Sequence, residues 1–273
     1  MQIRKVISAA MVFALISGCA RDQRMISHLP NEHPSAELEL GEAINQRITA
    51  NIPTCRNLEV IRYVQSVGDH LAAYADRKDL TYRFVVLDDD RIHATHAPGG
   101  FVYVTTGFLE FLQSEIELAG VLAYEIGALQ YRDPRLTGMK KTTDFILQAG
   151  SMAAPAFGAI GALSLLGLVA VKELVAHEPS FMGQVKKADG RALEMMTDAG
   201  YDPQGLLDVL RRINDPRSKY RPYLFDYLDS HPMTDERQTH LNQAFGSLPL
   251  DNRQFDSKRD VYLAVREGLQ GQK

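Results

Sequence analysis

Ala119-Gly120-Val121-Leu122-Ala123-Tyr124-Glu125-Ile126-Gly127-Ala128 is the stretch on which the reading of this chain turns. Glu125 is its single charge, set in an otherwise apolar run. Upstream, Ser114-Glu115-Ile116-Glu117 has the S-x-x-E form of a capping box, which predicts a helix starting there with Ser114 as N-cap. Asp133-Pro134 predicts its end, because the residue before a proline is pushed out of the helical region. A helix that is apolar on every side belongs inside a fold. A carboxylate on such a helix is costly unless it opens onto a cleft, finds a partner or takes up a proton. His231 and the cation Arg237 are the candidate partners for Glu125.

The rest of the chain bounds what surrounds that helix. With 273 residues, 45% hydrophobic and 23% charged, the composition is that of a globular protein with one large domain or two small ones. A net charge of −4 and a pI near 6.1 leave no electrostatic footprint for nucleic acid. There are no internal repeats. Residues 1–18 read as a secretory signal: Arg4 and Lys5 charge the start, and Val6 to Ile16 is almost wholly apolar. The run ends in Ile16-Ser17-Gly18-Cys19, which resembles the lipobox of bacterial lipoproteins, where the cysteine is diacylated and becomes the first residue. A signal-anchor, or ordinary cleavage that leaves a plain cysteine, is the alternative. Ala20 follows Cys19 in place of the Asp associated with inner-membrane retention, so the pattern points to the outer membrane, facing the periplasm. Several acyl chains on Cys19 would make stable anchoring possible. Two cysteines are too few for a disulfide framework, and Cys55 reads as a free thiol.

Residues 19–35, polar and carrying Pro30 and Pro34, read as a tether, and 36–270 as the folded body. Helical spacing of apolar residues predicts helices over Ala36–Ala50 and Asn57–Ala75, with Gly68 the weak point of the second. Thr81–Leu87 alternates as a strand. His93–Thr105 follows with a Pro98-Gly99-Gly100 turn and a strand at Phe101–Val104. Ala149–Val171 has no charge and is long enough to span a bilayer. Its Gly and Ala content instead favours a close-packed helical hairpin covering a cleft, with a membrane-dipping element as the alternative. Further helices are predicted over Gln184–Ala199, ending at Gly200 as a C-cap, and over Pro203–Ile213, Thr234–Ala244 and Asp260–Leu269.

The order of these segments resembles that of the gluzincin zinc metallopeptidases of the HtpX and BepA type, including periplasmic lipoproteins. Asp88–Gly107 resembles their strand-and-turn segment with its Pro-Gly-Gly-aromatic core. Ser114–Leu129 is similar to their Ser-Glu-x-Glu-Leu-Ala-x-Val-Leu-x-His-Glu-Ile-Gly-His helix. Lys187-Ala188-Asp189 with Ala199-Gly200-Tyr201-Asp202-Pro203 resembles their Ala-Asp helix and its Gly-Tyr-Asp-Pro ending. Ser230-His231-Pro232 with Arg237 looks like their His-Pro segment. Together these cover roughly residues 38–265. The resemblance implies an α+β fold, mainly helical, zincin-like, with a small sheet beside the active-site helix. It also implies a setting in envelope protein quality control.

The H-E-x-x-H motif puts two zinc-binding histidines at i and i+4 on one helix face, with the Glu between them as general base. The family's third ligand is a Glu four residues before the Asp of Ala-Asp. Those three positions here hold Tyr124, Ala128 and Val185. What persists is Glu125 as a vestigial general base, His231 as a near-site histidine, and Asp189 just outside the ligand set. A metal lowers the pKa of bound water from about 15.7 to about 7, and without it a lone carboxylate is a poor catalyst. Each residue also has a structural reading: Glu125 as a buried partner, Asp189 as a link between helices, His231 as a local hydrogen bonder, Tyr124 as a filler of the space left by the ion. His93 and His96 read as surface residues; the alternative is that they join Glu125 and His231 in a substitute metal site. The turn at Gly99 and Gly100 shapes a strand edge able to take an extended peptide by strand addition. The sequence therefore predicts a lipid-anchored pseudopeptidase without a cofactor, acting as a peptide-binding, chaperone-like or regulatory module. Its partners would be unfolded or envelope proteins, or an active relative. The alternative is an active metalloendopeptidase that binds zinc through substitute ligands.

Overall fold

The computed structural model describes residues 34–131, 181–220, 227, 231–250 and 253–270. The signal segment, nearly all of the tether and Ala149–Val171 lie outside the described residues. Among these residues no helix is long and apolar enough to cross a membrane.

Helices dominate, around one small sheet. The helices are α1 (Pro34–Asn51), α2 (Leu58–Ala72), α3 (Thr106–Phe111), α4 (Glu115–Tyr131), α5 (Phe181–Asp198), α6 (Gln204–Asn214), α7 (Asp235–Gly246) and α8 (Arg259–Gln270). The strands are β1 (Arg83–Leu87), β2 (Ala94–Ala97) and β3 (Phe101–Thr105), arranged in the order β1-β3-β2. β3 is central, parallel to β1 with Arg83 opposite Phe101, and antiparallel to β2 with His96 opposite Val102. The strand β2 adds a third strand to the two anticipated from the sequence. The outer edge of β1 is covered by the chain before α2, where the Cys55 N–H donates to the Val86 carbonyl and the Asp88 N–H to that of Pro53. Cys55 itself is a buried free thiol, and burial pushes its pKa up.

The helix α4 is the axis of the core. Leu118, Ala119, Leu122, Ala123, Ile126 and Ala128 are each fully buried, so the helix is covered on all sides, as its all-round apolar composition requires. α5 and α6 pack along it on one side, and α2 and β2 along others. Its start departs from the anticipated capping box. The Glu117 carboxylate reaches back beyond Ser114 to accept from the Gln113 N–H at 2.8 Å, and it also pairs with Arg212. A charged partner on α6 therefore holds the Glu that the capping box would have spent on the N-cap.

Gly68 is a contact point and not the weak point its helix propensity suggests. A Cβ there would lie 2.4 Å from the Phe84 ring, so only glycine lets β1 sit this close to α2. At the end of α5, Gly200 takes φ +78, and the Tyr201 N–H returns to the Met196 carbonyl at 2.8 Å. This is the left-handed C-cap anticipated from the sequence.

Candidate functional site

Glu125 is fully buried, and each of its carboxylate oxygens is held by a histidine. His96 Nδ1 lies 2.6 Å from Oε2, and His231 Nε2 lies 2.9 Å from Oε1. Three separate elements deliver these groups: β2 brings His96, α4 brings Glu125, and the segment entering α7 brings His231. Sequence separations of 29 and 106 residues mean that only the assembled fold makes the cluster.

His231 Nδ1 lies 3.1 Å from the Tyr227 carbonyl, which can only accept, so Nδ1 carries a hydrogen. The backbone N–H of His231 donates to the same carbonyl at 2.7 Å, which fixes the ring's position. Desolvation alone would raise the Glu125 pKa, but hydrogen bonds from His231 and then His96, with their charges, hold it well below the usual carboxylate range. Nε2 of His231 faces Oε1 of the carboxylate, so the two rings bracket Glu125 in a buried imidazole–carboxylate cluster.

Tyr124 packs beside this pair. It is 1% exposed, with its ring edge-on to His231 at a centroid distance of 5.2 Å. The Arg237 guanidinium lies 5.1 Å from the centroid of the same ring, within cation–π range. On the other side His231 stacks on Tyr227 at 4.0 Å with an interplanar angle of 11°. Burial lifts the Tyr227 phenol well above its ordinary pKa.

Arg237 does not pair with Glu125. It makes a two-pronged contact with Asp189, Nε to Oδ2 and Nη2 to Oδ1, both at 2.8 Å and both residues fully buried. Asp189 thus joins α5 to α7 through a charge pair. Val185, one turn earlier on α5, and Ala128 on α4 are both fully buried, and α4 and α5 pack so closely that a Cβ on Gly127 would sit 3.0 Å from the Ala188 carbonyl.

One expectation is corrected. His93 and His96 are not surface residues: they are 3% and 2% exposed, because β2 lies between the sheet centre and the core helix. Of the two, His96 is brought to Glu125, a meeting raised from the sequence only as the alternative, because four residues of Ala-Thr-His-Ala give no alternating strand signal for β2. The Pro98-Gly99-Gly100 turn itself is buried under α1, where the Gly99 N–H donates to Glu37 Oε1 at 3.2 Å. Glu37 also takes Arg77 at 2.8 Å, so the first helix is fastened over the turn.

Chemically, the arrangement ties three elements together around a carboxylate that is fully buried, each of whose oxygens already meets a histidine. A general base needs an oxygen within hydrogen-bond reach of a water or substrate proton, and burial keeps both oxygens of Glu125 away from solvent. The residues at Tyr124, Ala128 and Val185 do not fit zinc. Zinc takes imidazole, thiolate or carboxylate donors, whereas these are a phenol, packed against His231 and Arg237, and two hydrocarbon side chains. Among the described residues, no three His, Cys, Asp or Glu side chains converge where a metal ion could be held.

The sequence profile of Peptidase family M48 matches residues 60–244 of the chain. Two relatives are each described as a beta-barrel assembly-enhancing protease. The one from Yersinia pestis is 25% identical over 212 residues, which is 74% of this chain and 42% of the relative. The one from Escherichia coli strain K12 is 24% identical over 246 residues, 85% of this chain and 48% of the relative. The chain spans about half the length of the curated relatives it matches.

Proposed function

The chain belongs to Peptidase family M48, and from that premise we propose that it is a pseudopeptidase. In this reading it keeps the scaffold of a gluzincin peptidase and serves as a peptide-binding, chaperone-like or regulatory module in envelope protein quality control. The observation that carries the proposal is the state of Glu125. Its family position is that of the general base, yet it is fully buried, with a histidine on each oxygen. The three positions matched to zinc ligands offer the ion no nitrogen and no carboxylate. A site built this way holds the fold together.

The relatives' names concern assembly of β-barrels, so the clients we propose are unfolded or envelope proteins, with an active relative as the other partner. Lipid on Cys19 would place the domain at the periplasmic face of the outer membrane.

A second reading has one observation in its favour: His96, Glu125 and His231 do come together. To become a substitute zinc site they would have to release the hydrogens between them and turn toward a common point. Each histidine now points at a different oxygen of one carboxylate, which favours a hydrogen-bonded clamp. Casein cleavage by purified protein separates the two readings. The proposal expects no cleavage above background, with or without added zinc. Cleavage that a chelator blocks and zinc restores would establish the second reading.

A further inference from the structure

Between α5 and α7 lies an open groove of about 490 Å³, and none of its lining residues belongs to the Glu125 cluster. Its lining includes Lys186, Lys187 and Arg191 against one carboxylate, Glu194. The three cations are committed to different degrees. Arg191 is anchored to Asp76 at 2.7 Å and to the Tyr74 carbonyl at 2.6 Å. Lys186 meets Glu236 at 2.5 Å, but Glu236 is 66% exposed, and a pair so open to water is weak and exchangeable. Lys187 has no hydrogen-bond or ion-pair partner among the described residues. His240 stands in the opposite wall, its Nε2 fixed by the Lys186 carbonyl at 3.0 Å, and the Gln243 amide lies beside it.

The groove is also lined by Gly190, in the middle of α5. Glycine in a helix interior is destabilising relative to alanine, so it calls for a reason. Its backbone is not in the left-handed region, and a Cβ built on it meets nothing within 4 Å. Gly183 and Gly246 are equally open, but they lie at helix ends, where glycine costs little. Among the described residues, neither conformation nor packing requires glycine at 190. It leaves room for a group that approaches from outside, between Lys186 and Lys187.

We propose that this groove binds a phosphate-bearing ligand, either a phospholipid headgroup or a free phosphate ester, with Lys187 and Lys186 as its counter-charges and Gly190 giving it room. Lysine acts on phosphate as a compact point charge. The volume falls in the range of small-ligand sites, about 300–1,000 Å³. A protein partner would need a far larger surface, about 1,200–2,000 Å² in total.

The test uses the chain carrying Cys19→Ala, so that no acyl chain contributes. The probes are sn-glycerol 3-phosphate and vesicles of equimolar phosphatidylglycerol and phosphatidylcholine, with pure phosphatidylcholine vesicles as reference. Binding of glycerol 3-phosphate identifies a free ester as a ligand. Binding to the phosphatidylglycerol vesicles alone identifies the headgroup at a surface, and either result supports the site. Lys187→Glu should then weaken binding about tenfold, the scale of one lost charge-assisted contact. Gly190→Leu should weaken it at least as much while its melting temperature stays at or above that of the parent. Three results would overturn the proposal: no binding of either probe, unchanged binding in both variants, or capture of an oligoglutamate peptide with no response to phosphate.

Discussion

Glu125→Gln lowers the stability of this protein by about 3 kcal/mol, within the range for breaking one partner of a buried, hydrogen-bonded charge pair. A carboxylate with two acceptor oxygens is replaced by an amide with one. The amide nitrogen then faces a histidine ring nitrogen, and the cluster loses its carboxylate charge in a fully buried setting. At 2–4 °C per kcal/mol for a domain of this size, the melting temperature falls by about 6–12 °C. The sign separates two roles. A catalytic residue is commonly held at a cost to stability, so its replacement leaves the fold as stable or more so. A clamp does the opposite. The pH dependence follows from the depressed Glu125 pKa. Its stabilisation is complete above the ordinary carboxyl value of 4.5 and is lost as pH falls through the lower folded value. The deficit of the variant is therefore full at neutral pH and shrinks only in acid below that point. Urea unfolding at neutral and acid pH measures both; a variant as stable as the parent at neutral pH would refute the clamp.

Asp189→Ala is the second large effect, about 3–5 kcal/mol. It strands the Arg237 guanidinium in a site with no exposure and no other carboxylate among its hydrogen-bond partners. The cation–π contact with Tyr124 and a 3.4 Å contact to the Pro232 carbonyl are too weak to hold the charge alone. Replacing both partners with apolar residues of similar volume, Asp189→Leu with Arg237→Met, should recover most of the loss, because a buried pair repays its desolvation only narrowly. A double-mutant cycle gives the coupling energy. A single-variant loss below about 1 kcal/mol would mean that the pair is solvated and that α5 and α7 are held by other contacts.

The parts legible from sequence were those with local signals. The apolar run with its acidic start gave α4, because capping and periodicity act over a few residues. Gly200 marked the end of α5 for the same reason, since a left-handed cap strongly favours glycine. The demand of Glu125 for a partner was legible too, from the cost of a buried carboxylate. Which partner it takes was only half legible. His231 serves it as one of two named candidates, while Arg237 goes to Asp189, and nothing in either sequence neighbourhood decides that exchange. His96 was raised only as the alternative, because its meeting with Glu125 depends on β2 pairing with β3 and then docking on α4. The burial of the Pro98–Gly100 turn was hidden for a similar reason. It is set by Glu37, 62 residues away, reaching across from α1.

In the function proposed above, the chain keeps the scaffold of an M48 peptidase without binding the metal. Zinc content of the purified protein, measured by elemental analysis after buffer exchange without chelator, tests it most directly. Well under one zinc per ten chains is expected, since Tyr124, Ala128 and Val185 offer no zinc donors of the usual kind. About one zinc per chain, retained through gel filtration, would contradict it.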